Sequence, residues 1–271
     1  MVTRARDAAA SRAVSSVLLV PRQRLVRASG RSPGRITTIT VNSTLSACEA
    51  RIERESGRLP TVAIVGASYT AGVGPDNPEL SWAVHVARQL RWNAVIYGVP
   101  GAGYVRAGTA GRGPMKRMLT GERLARLDPA LVIVQAGFDD LGVPAGLEER
   151  RVGQTVDMIR DAAPRARIAL LTTFAFTAQG SPAVRQTDDA IIAGGTAADP
   201  AVIVMNPLAG RWAYPRADGG LHPTAAGDAW IGREVAAILR AHGVSPAPAT
   251  SAAPLICDVS VGAGKPVTAT A

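Results

Sequence analysis

Five short runs of apolar and β-branched residues recur along the middle of the chain, a composition typical of strands buried on both faces. The predicted strands span residues 61–65, 93–97, 130–135, 167–174 and 201–205. Apolar positions at helical spacing lie between them, and the predicted helices span residues 79–91, 115–127, 147–163, 178–194 and 224–241. Strands that alternate with helices predict an α/β fold. We expect a three-layer α/β/α sandwich around a five-stranded parallel sheet of the flavodoxin-like type.

The same pattern divides the chain of 271 residues into three parts. Hydrophobic residues make up 47% of the chain and charged residues 19%, so there is enough apolar material for a sizeable core. Residues 60–244 carry the alternating pattern and form the predicted domain. We expect residues 1–59 to be a basic, disordered N-terminal extension, and residues 245–271 to be a disordered tail rich in alanine and proline.

The formal net charge of +9 does not indicate a nucleic-acid-binding face, because most of it lies in the N-terminal extension. Residues 1–35 contain eight arginines and one aspartate, a net charge of +7, which leaves +2 for the rest of the chain. Aromatic residues, on which bases could stack, make up only 4%. We therefore expect no nucleic-acid partner.

The two cysteines, Cys48 and Cys257, lie in the predicted flanking segments, without the spacing of a metal site. We expect no metal and no cofactor, and we leave a single disulfide open without favouring it. Residues 45–48, Leu-Ser-Ala-Cys, resemble the lipobox of bacterial lipoproteins, which would anchor the protein to a membrane through Cys48. The preceding residues 36–44 are more polar than a signal sequence requires, so a plain disordered arm is the alternative. A transmembrane helix is not expected, since no run of about 18 apolar residues exists.

Polar or glycine residues follow three of the predicted strands, where open α/β sheets bind their ligands. Ser68 follows the first strand, Gly101 the second and Asp139 the third, while His222 precedes the last helix. A serine hydroxyl becomes a good nucleophile when an imidazole takes its proton. Acyl transfer also needs hydrogen-bond donors where the oxyanion forms, and backbone N–H groups of a glycine-rich turn commonly supply them. These residue types therefore predict acyl-transfer chemistry at this edge of the sheet.

Four short blocks in this order resemble the SGNH, or GDSL-type, hydrolase superfamily. They are Gly66-Ala67-Ser68, the glycine block 98–101, the block 137–140 and His222-Pro223-Thr224, and they extend over residues 61–241. The resemblance implies that Ser68 is the nucleophile and His222 its general base. It also implies that the backbone N–H groups of Ser68 and Gly101 bind the oxyanion.

Two departures from the family pattern bear on catalysis. Asp139 stands where the family has an asparagine that donates a side-chain N–H to the oxyanion. Asp139 is therefore either protonated at this site or turned away from it. The acid partner of His222 should lie three residues before it, but that residue is Gly219, and Asp218 precedes it. Either a bulged loop brings Asp218 to His222, or a backbone carbonyl orients the imidazole.

The sequence thus predicts a serine esterase that cleaves small acyl esters, such as O-acetyl groups of carbohydrate or short-chain lipid esters. The alternatives are a non-catalytic carbohydrate- or lipid-binding protein on the same fold, and an acyltransferase. Tyr69, Tyr104 and Trp212 are the candidate substrate-binding residues, because they lie near the predicted mouth of the site. The resemblance favours a cell-envelope or secreted protein, with the cytoplasm as the alternative.

Overall fold

Six parallel strands form the central sheet in the part of the chain that the computed structural model describes, which is residues 46–55, 57–75, 78–174, 180–217, 220–248 and 253–261. The strands are β1 (Thr61–Gly66), β2 (Asn93–Gly98), β3 (Leu131–Gln135), β4 (Arg167–Leu171), β5 (Ile203–Met205) and β6 (Ile256–Asp258). Their order across the sheet is β5-β4-β3-β1-β2-β6, and all pairings are parallel. The α/β class and the parallel sheet predicted from the sequence are confirmed.

Helices cover both faces of the sheet. They are α1 (Ala47–Arg54), α2 (Trp82–Leu90), α3 (Met115–Met118), α4 (Gly121–Leu127), α5 (Ala145–Ala162), α6 (Pro182–Ala198) and α7 (Ala225–Ala241). Side chains alternate across β1, so Val62 and Ile64 pack with α2 and α7, while Ala63 and Val65 pack with the other helices. Two apolar layers therefore enclose the sheet, which confirms the three-layer sandwich. The predicted helix 115–127 is two helices, because Thr120 caps the start of α4 by accepting a hydrogen bond from the Arg123 N–H.

The sheet has one strand more than the sequence predicts, because β6 comes from the segment expected to be a disordered tail. Its backbone pairs with β2 in the register Ala94 with Ile256 and Ile96 with Asp258. Helix α1 likewise lies in the predicted N-terminal extension, and it buries Ile52 in the core. A three-residue edge strand and a single two-turn helix carry too little periodicity to be recognised locally. Within the two predicted extensions, residues 1–45, 56, 249–252 and 262–271 lie outside the described residues.

A disulfide bond between Cys48 and Cys257 joins α1 to β6, with a Cα–Cα distance of 5.8 Å. The prediction of membrane anchoring through Cys48 is therefore wrong for this structure, since the sulfur that would be acylated is bonded to another sulfur. Among the described helices, none has both the length and the apolar composition required to cross a membrane. Disulfides persist mainly in oxidising compartments, which agrees with an envelope or secreted location.

Loss of the disulfide is expected to lower the free energy of unfolding by about 2–4 kcal/mol, because the bond closes a very long loop in the unfolded chain. The bridged residues are 209 positions apart. The measurement is urea unfolding of the wild type and of Cys48→Ser/Cys257→Ser, each with and without dithiothreitol. The reductant should shift the wild-type midpoint to that of the double variant, and should leave the double variant unchanged. Equal midpoints for the oxidised wild type and the double variant would contradict this account.

Candidate active site

The turn that carries Ser68 is held against the sheet by the side chain of Gln135, the last residue of β3. The Gln135 Oε1 atom accepts hydrogen bonds from the Ala67 N–H at 3.2 Å and from the Thr70 hydroxyl at 2.9 Å. The Ser68 carbonyl accepts a further bond from the Val73 N–H at 3.0 Å. These bonds fix the backbone on both sides of Ser68, so that its hydroxyl is presented at the carboxyl edge of the sheet. Gln135 was not among the sequence-predicted site residues, because its partner residues are far away in the chain.

Ser68 and His222 form a hydrogen-bonded pair, with 3.0 Å between the Ser68 Oγ and the His222 Nε2. Backbone bonds support the histidine loop, from the Ala217 N–H to the His222 carbonyl at 2.8 Å and from the Thr224 N–H to the Pro215 carbonyl at 3.0 Å. Thr224 is the N-cap of α7, and its hydroxyl accepts a hydrogen bond from the Gly227 N–H at 3.2 Å. The 3.0 Å distance between the Ser68 Oγ and the His222 Nε2 is short enough for the imidazole to take the proton of the serine hydroxyl.

Gly74 allows the serine turn and the histidine loop to approach each other. A Cβ at this position would lie 2.4 Å from the Pro223 carbonyl oxygen and 2.9 Å from the His222 Cβ, and the φ angle is +117°. Only glycine satisfies both conditions. Asp218, the acid predicted to orient His222, lies outside the described residues, as does Gly219.

A pocket of about 210 Å³ opens beside this pair. Its lining includes Ser68, Tyr69, Gly101, Asp139 and His222, so five of the sequence-predicted site residues meet at one place. Among the described residues, the backbone N–H groups of Ser68 and Gly101 donate to no acceptor. Two unpaired backbone donors beside a serine hydroxyl provide the kind of site that binds an oxyanion. In the described part of the chain, no three histidine, cysteine or carboxylate side chains are grouped as metal ligands.

Asp139 lies in the short turn Phe138–Asp140 that follows β3, and its side chain is half-buried in the pocket wall. Burial and the neighbouring Asp140 charge raise the pKa of Asp139 to about 6, against the opposing effects of His222 and Arg106. Asp139 is one of the residues that line the pocket. Its carboxyl group is therefore neutral in mildly acidic solution and ionised at pH 8.

Asp140 holds in place the loop of residues 99–114 between β2 and α3, which we call the glycine loop. Its fully buried carboxylate accepts hydrogen bonds from three successive backbone N–H groups, those of Tyr104 at 2.6 Å, Val105 at 3.2 Å and Arg106 at 3.0 Å. Gly103 makes this possible, since a Cβ there would lie 2.2 Å from the Asp140 Oδ2. The sequence placed Asp140 in a motif but gave no sign of this role. The only local signal was a second carboxylate directly after Asp139.

Of the three aromatic residues predicted to contact substrate, only Tyr69 lines the pocket. Its ring stacks on Phe174 with 4.4 Å between centroids, and its hydroxyl donates to the Leu221 carbonyl at 2.5 Å. Tyr104 and Trp212 are 1% and 9% exposed, and neither belongs to the lining of this pocket. Trp212 instead packs behind it, against Phe174. Trp212 therefore supports the wall of the site through Phe174, whereas Tyr104 belongs to the apolar core on the other face of the sheet.

The chain matches the GDSL-like lipase/acylhydrolase family over residues 64–230, which include every pocket residue described above. A search of the curated proteins finds no match.

Solved structures with a similar fold include three carbohydrate esterases. A family 2 carbohydrate esterase from Cellvibrio japonicus is 18% identical, with a TM-score of 0.59, and the match covers 68% of this chain and 61% of that one. The family 2 carbohydrate esterase from Clostridium thermocellum, in complex with cellohexaose, is 15% identical with a TM-score of 0.52, at 67% and 64% coverage. Est24, a carbohydrate acetylesterase from Sinorhizobium meliloti, is 16% identical with a TM-score of 0.53, at 67% and 99% coverage. The chain therefore spans slightly less than two thirds of the length of those two family 2 esterases.

Proposed function

The chain belongs to the GDSL-like lipase/acylhydrolase family, and on this premise we propose that it is a serine esterase that removes small acyl groups, acetyl in particular, from carbohydrate. The observation that carries the proposal is the 3.0 Å contact between the Ser68 Oγ and the His222 Nε2, beside the backbone N–H groups of Ser68 and Gly101, which have no acceptor among the described residues. The carbohydrate part is supported by the names of the neighbouring structures, which are carbohydrate esterases. We also propose a cell-envelope or secreted location, which the disulfide supports.

In the proposed mechanism the Ser68 Oγ attacks the carbonyl carbon of the ester, and His222 takes the hydroxyl proton on its Nε2. The negative charge that develops on the carbonyl oxygen is stabilised by the N–H groups of Ser68 and Gly101. His222 then donates the proton to the sugar oxygen, which leaves as an alcohol, and the acyl group stays on Ser68. A water molecule attacks this acyl-enzyme with His222 again as the base, which releases the acid and restores the serine. Asp218 remains our candidate for the group that orients His222.

The pocket beside Ser68 is small and has apolar side chains in its wall. Its volume is about 210 Å³, and Val73, Phe138 and Leu221 are among the residues that line it. We propose acetyl as the preferred acyl group, by analogy with the carbohydrate acetylesterase among the similar structures. The test is hydrolysis of p-nitrophenyl esters from acetate to octanoate, and acetate release from acetylated oligosaccharides, by the full chain. We expect the acetate ester to have the highest kcat/KM. Absence of turnover for every ester would reject the proposal.

A non-catalytic binding protein is the second candidate, and Asp139 is the observation that favours it. A carboxylate at the oxyanion site opposes the charge that ester cleavage creates, so a site of this kind could hold an acylated glycan without cleaving it. The esterase and the binding protein differ in one result, since a binding protein retains the intact acylated glycan and releases no acetate.

An acyltransferase is the remaining alternative. It would transfer the acyl group from Ser68 to a sugar or lipid alcohol in place of water, so the donor ester would be consumed only when such an alcohol is supplied.

Replacement of Asp139 by asparagine is expected to raise kcat/KM at pH 8 by about tenfold. Two like charges ~4 Å apart, here the Asp139 carboxylate and the oxyanion, repel each other by about 1 kcal/mol in water and by about 4 kcal/mol at an effective dielectric of 20. Because Asp139 is only half-buried, the repulsion energy lies towards the lower value. Because the pKa of Asp139 is about 6, the wild type carries this charge at pH 8 and loses it on acidification. The ratio of Asp139→Asn to wild-type activity should therefore approach one at pH 5. Equal or lower activity of the variant at pH 8 would contradict this prediction, whereas a variant that is faster at pH 8 but slower than the wild type at pH 5 would mean that protonated Asp139 is itself a donor.

A further inference from the structure

A second cavity, of about 460 Å³, lies at the carboxyl edge of the sheet beside β2 and β6. Tyr97 and Gly98 at the end of β2 form its floor, and the backbone after β6 continues along it, with the Val261 N–H bonded to the Gly98 carbonyl at 2.8 Å. Three arginines from the glycine loop and from α3 and α4 complete the walls. We call it the arginine cavity after these residues, Arg112, Arg117 and Arg123.

One of the three arginines is built into the protein. Arg123 is 16% exposed, its guanidinium lies 4.5 Å over the Tyr97 ring, and it forms an ion pair with the fully buried Glu49 of α1. Burial alone would raise the pKa of Glu49, but hydrogen bonds from Tyr97 and the Ser46 N–H, with the Arg123 charge, hold it below its usual value. Glu49 is therefore ionised, and its charge cancels that of Arg123.

The other two arginines leave the cavity with a net positive charge. Arg112 and Arg117 are exposed, and among the described residues neither side chain has an ion pair or a hydrogen bond. Three arginines against one glutamate in the lining give a net charge of +2. Met118, Val259 and Val261 provide apolar surface between the charged groups. A guanidinium binds a carboxylate through two parallel hydrogen bonds, and apolar side chains can pack on the C–H face of a sugar ring.

The arginine cavity and the serine pocket lie on either side of the same loop. Pro100 and Gly101 line the serine pocket, whereas Ala110 and Arg112 line the arginine cavity. The two arms of the loop are joined, since the Pro100 carbonyl accepts bonds from the Thr109 N–H at 2.9 Å and from the Thr109 hydroxyl at 3.0 Å. A chain-like ligand at Ser68 therefore has a positively charged site next to it, at the same edge of the sheet.

We propose that the arginine cavity binds the carboxylate of an acidic sugar unit, so that the glycan on which this protein acts is anionic. The assignment of that ligand as the substrate rests on the proposed esterase function, whereas the binding of an acidic sugar can be measured without catalysis. Arg112 and Arg117 would hold the carboxylate, and Arg123 would be fixed beside them by Glu49.

The experiment is titration calorimetry of the full chain with a galacturonate trimer and with neutral cellotriose, neither of which carries an ester. The test variant is Arg112→Gln/Arg117→Gln, which changes two exposed side chains. The matched control is Arg150→Gln/Arg233→Gln, which removes the same charge from exposed positions on α5 and α7 that line neither cavity. We expect the test variant to bind the acidic trimer about tenfold more weakly than the control, because two charge-assisted contacts are lost.

The inference is overturned if the wild type does not bind the acidic trimer, if cellotriose binds as tightly, or if the two double variants weaken binding equally. Equal weakening would mean that only overall charge matters. Failure of the proposed esterase function would be seen in a different measurement, the turnover of esters. Acidic trimer binding that depends on Arg112 and Arg117, without turnover of any ester, would keep the cavity assignment and remove the substrate role. Ester turnover by a protein whose binding of the acidic trimer does not depend on Arg112 and Arg117 would keep the esterase function and remove the cavity assignment.

Discussion

Ser68→Ala is expected to lower kcat/KM for p-nitrophenyl acetate by about a thousandfold or more, without a change in fold. The proposed mechanism uses the hydroxyl of Ser68 as the nucleophile, and the substitution removes this group while it leaves the backbone N–H in place. Enzymes that lose the serine of a Ser–His pair keep only the residual catalysis of the oxyanion site and of binding. The measurement is initial-rate kinetics at pH 8 together with a thermal melt.

The matched control for this prediction is Ser181→Ala, which removes a serine hydroxyl that caps α6 by accepting a bond from the Val184 N–H at 3.2 Å. Its activity should equal that of the wild type, with a loss of stability of about 1 kcal/mol. A Ser68→Ala variant that hydrolyses the ester as fast as the wild type would show that the serine pocket is not where the reaction occurs.

Asp140→Ala is expected to lower kcat by about a hundredfold and the free energy of unfolding by about 3 kcal/mol. The buried carboxylate is the acceptor for the N–H groups of Tyr104, Val105 and Arg106. Each buried donor left without its partner costs about 1–3 kcal/mol, and these three are buried to different degrees. Because the same loop carries Gly101, its displacement by about 1 Å would misplace an oxyanion donor, a change that costs on the order of a hundredfold in rate.

A positioning role for Asp140 differs from a purely structural role in the kinetics. The assay is therefore made well below the melting temperature of each variant, with kcat and KM measured separately. We expect kcat to fall more than KM rises, because the oxyanion donor acts mainly in the transition state. Asp140→Asn keeps one carbonyl acceptor and should lie between the wild type and Asp140→Ala. A variant that is less stable but fully active at low temperature would contradict the positioning role.

Much of the site could be predicted from the sequence because its parts are local. Ser68 and Gly101 each follow a strand that its own apolar composition reveals, and His222 precedes a helix with Thr224 as a clear cap. Parallel strands bring such loops to one edge regardless of the details of packing. That Ser68 and His222 lie at the same edge therefore follows from strand order and connection, while their contact at 3.0 Å also depends on the close approach that Gly74 allows.

The tertiary structure decided the features that depend on contacts between distant residues. The pairing of Cys48 with Cys257, the sixth strand, the burial of Trp212 and the three bonds of Asp140 have no local signal. The same holds for the arginine cavity, which is formed by α1, β2, the glycine loop, α3, α4 and the segment after β6. Local composition determines where strands, helices and reactive loops occur. Which side chains become buried, paired or left free at the edge of the sheet is determined by how those elements pack.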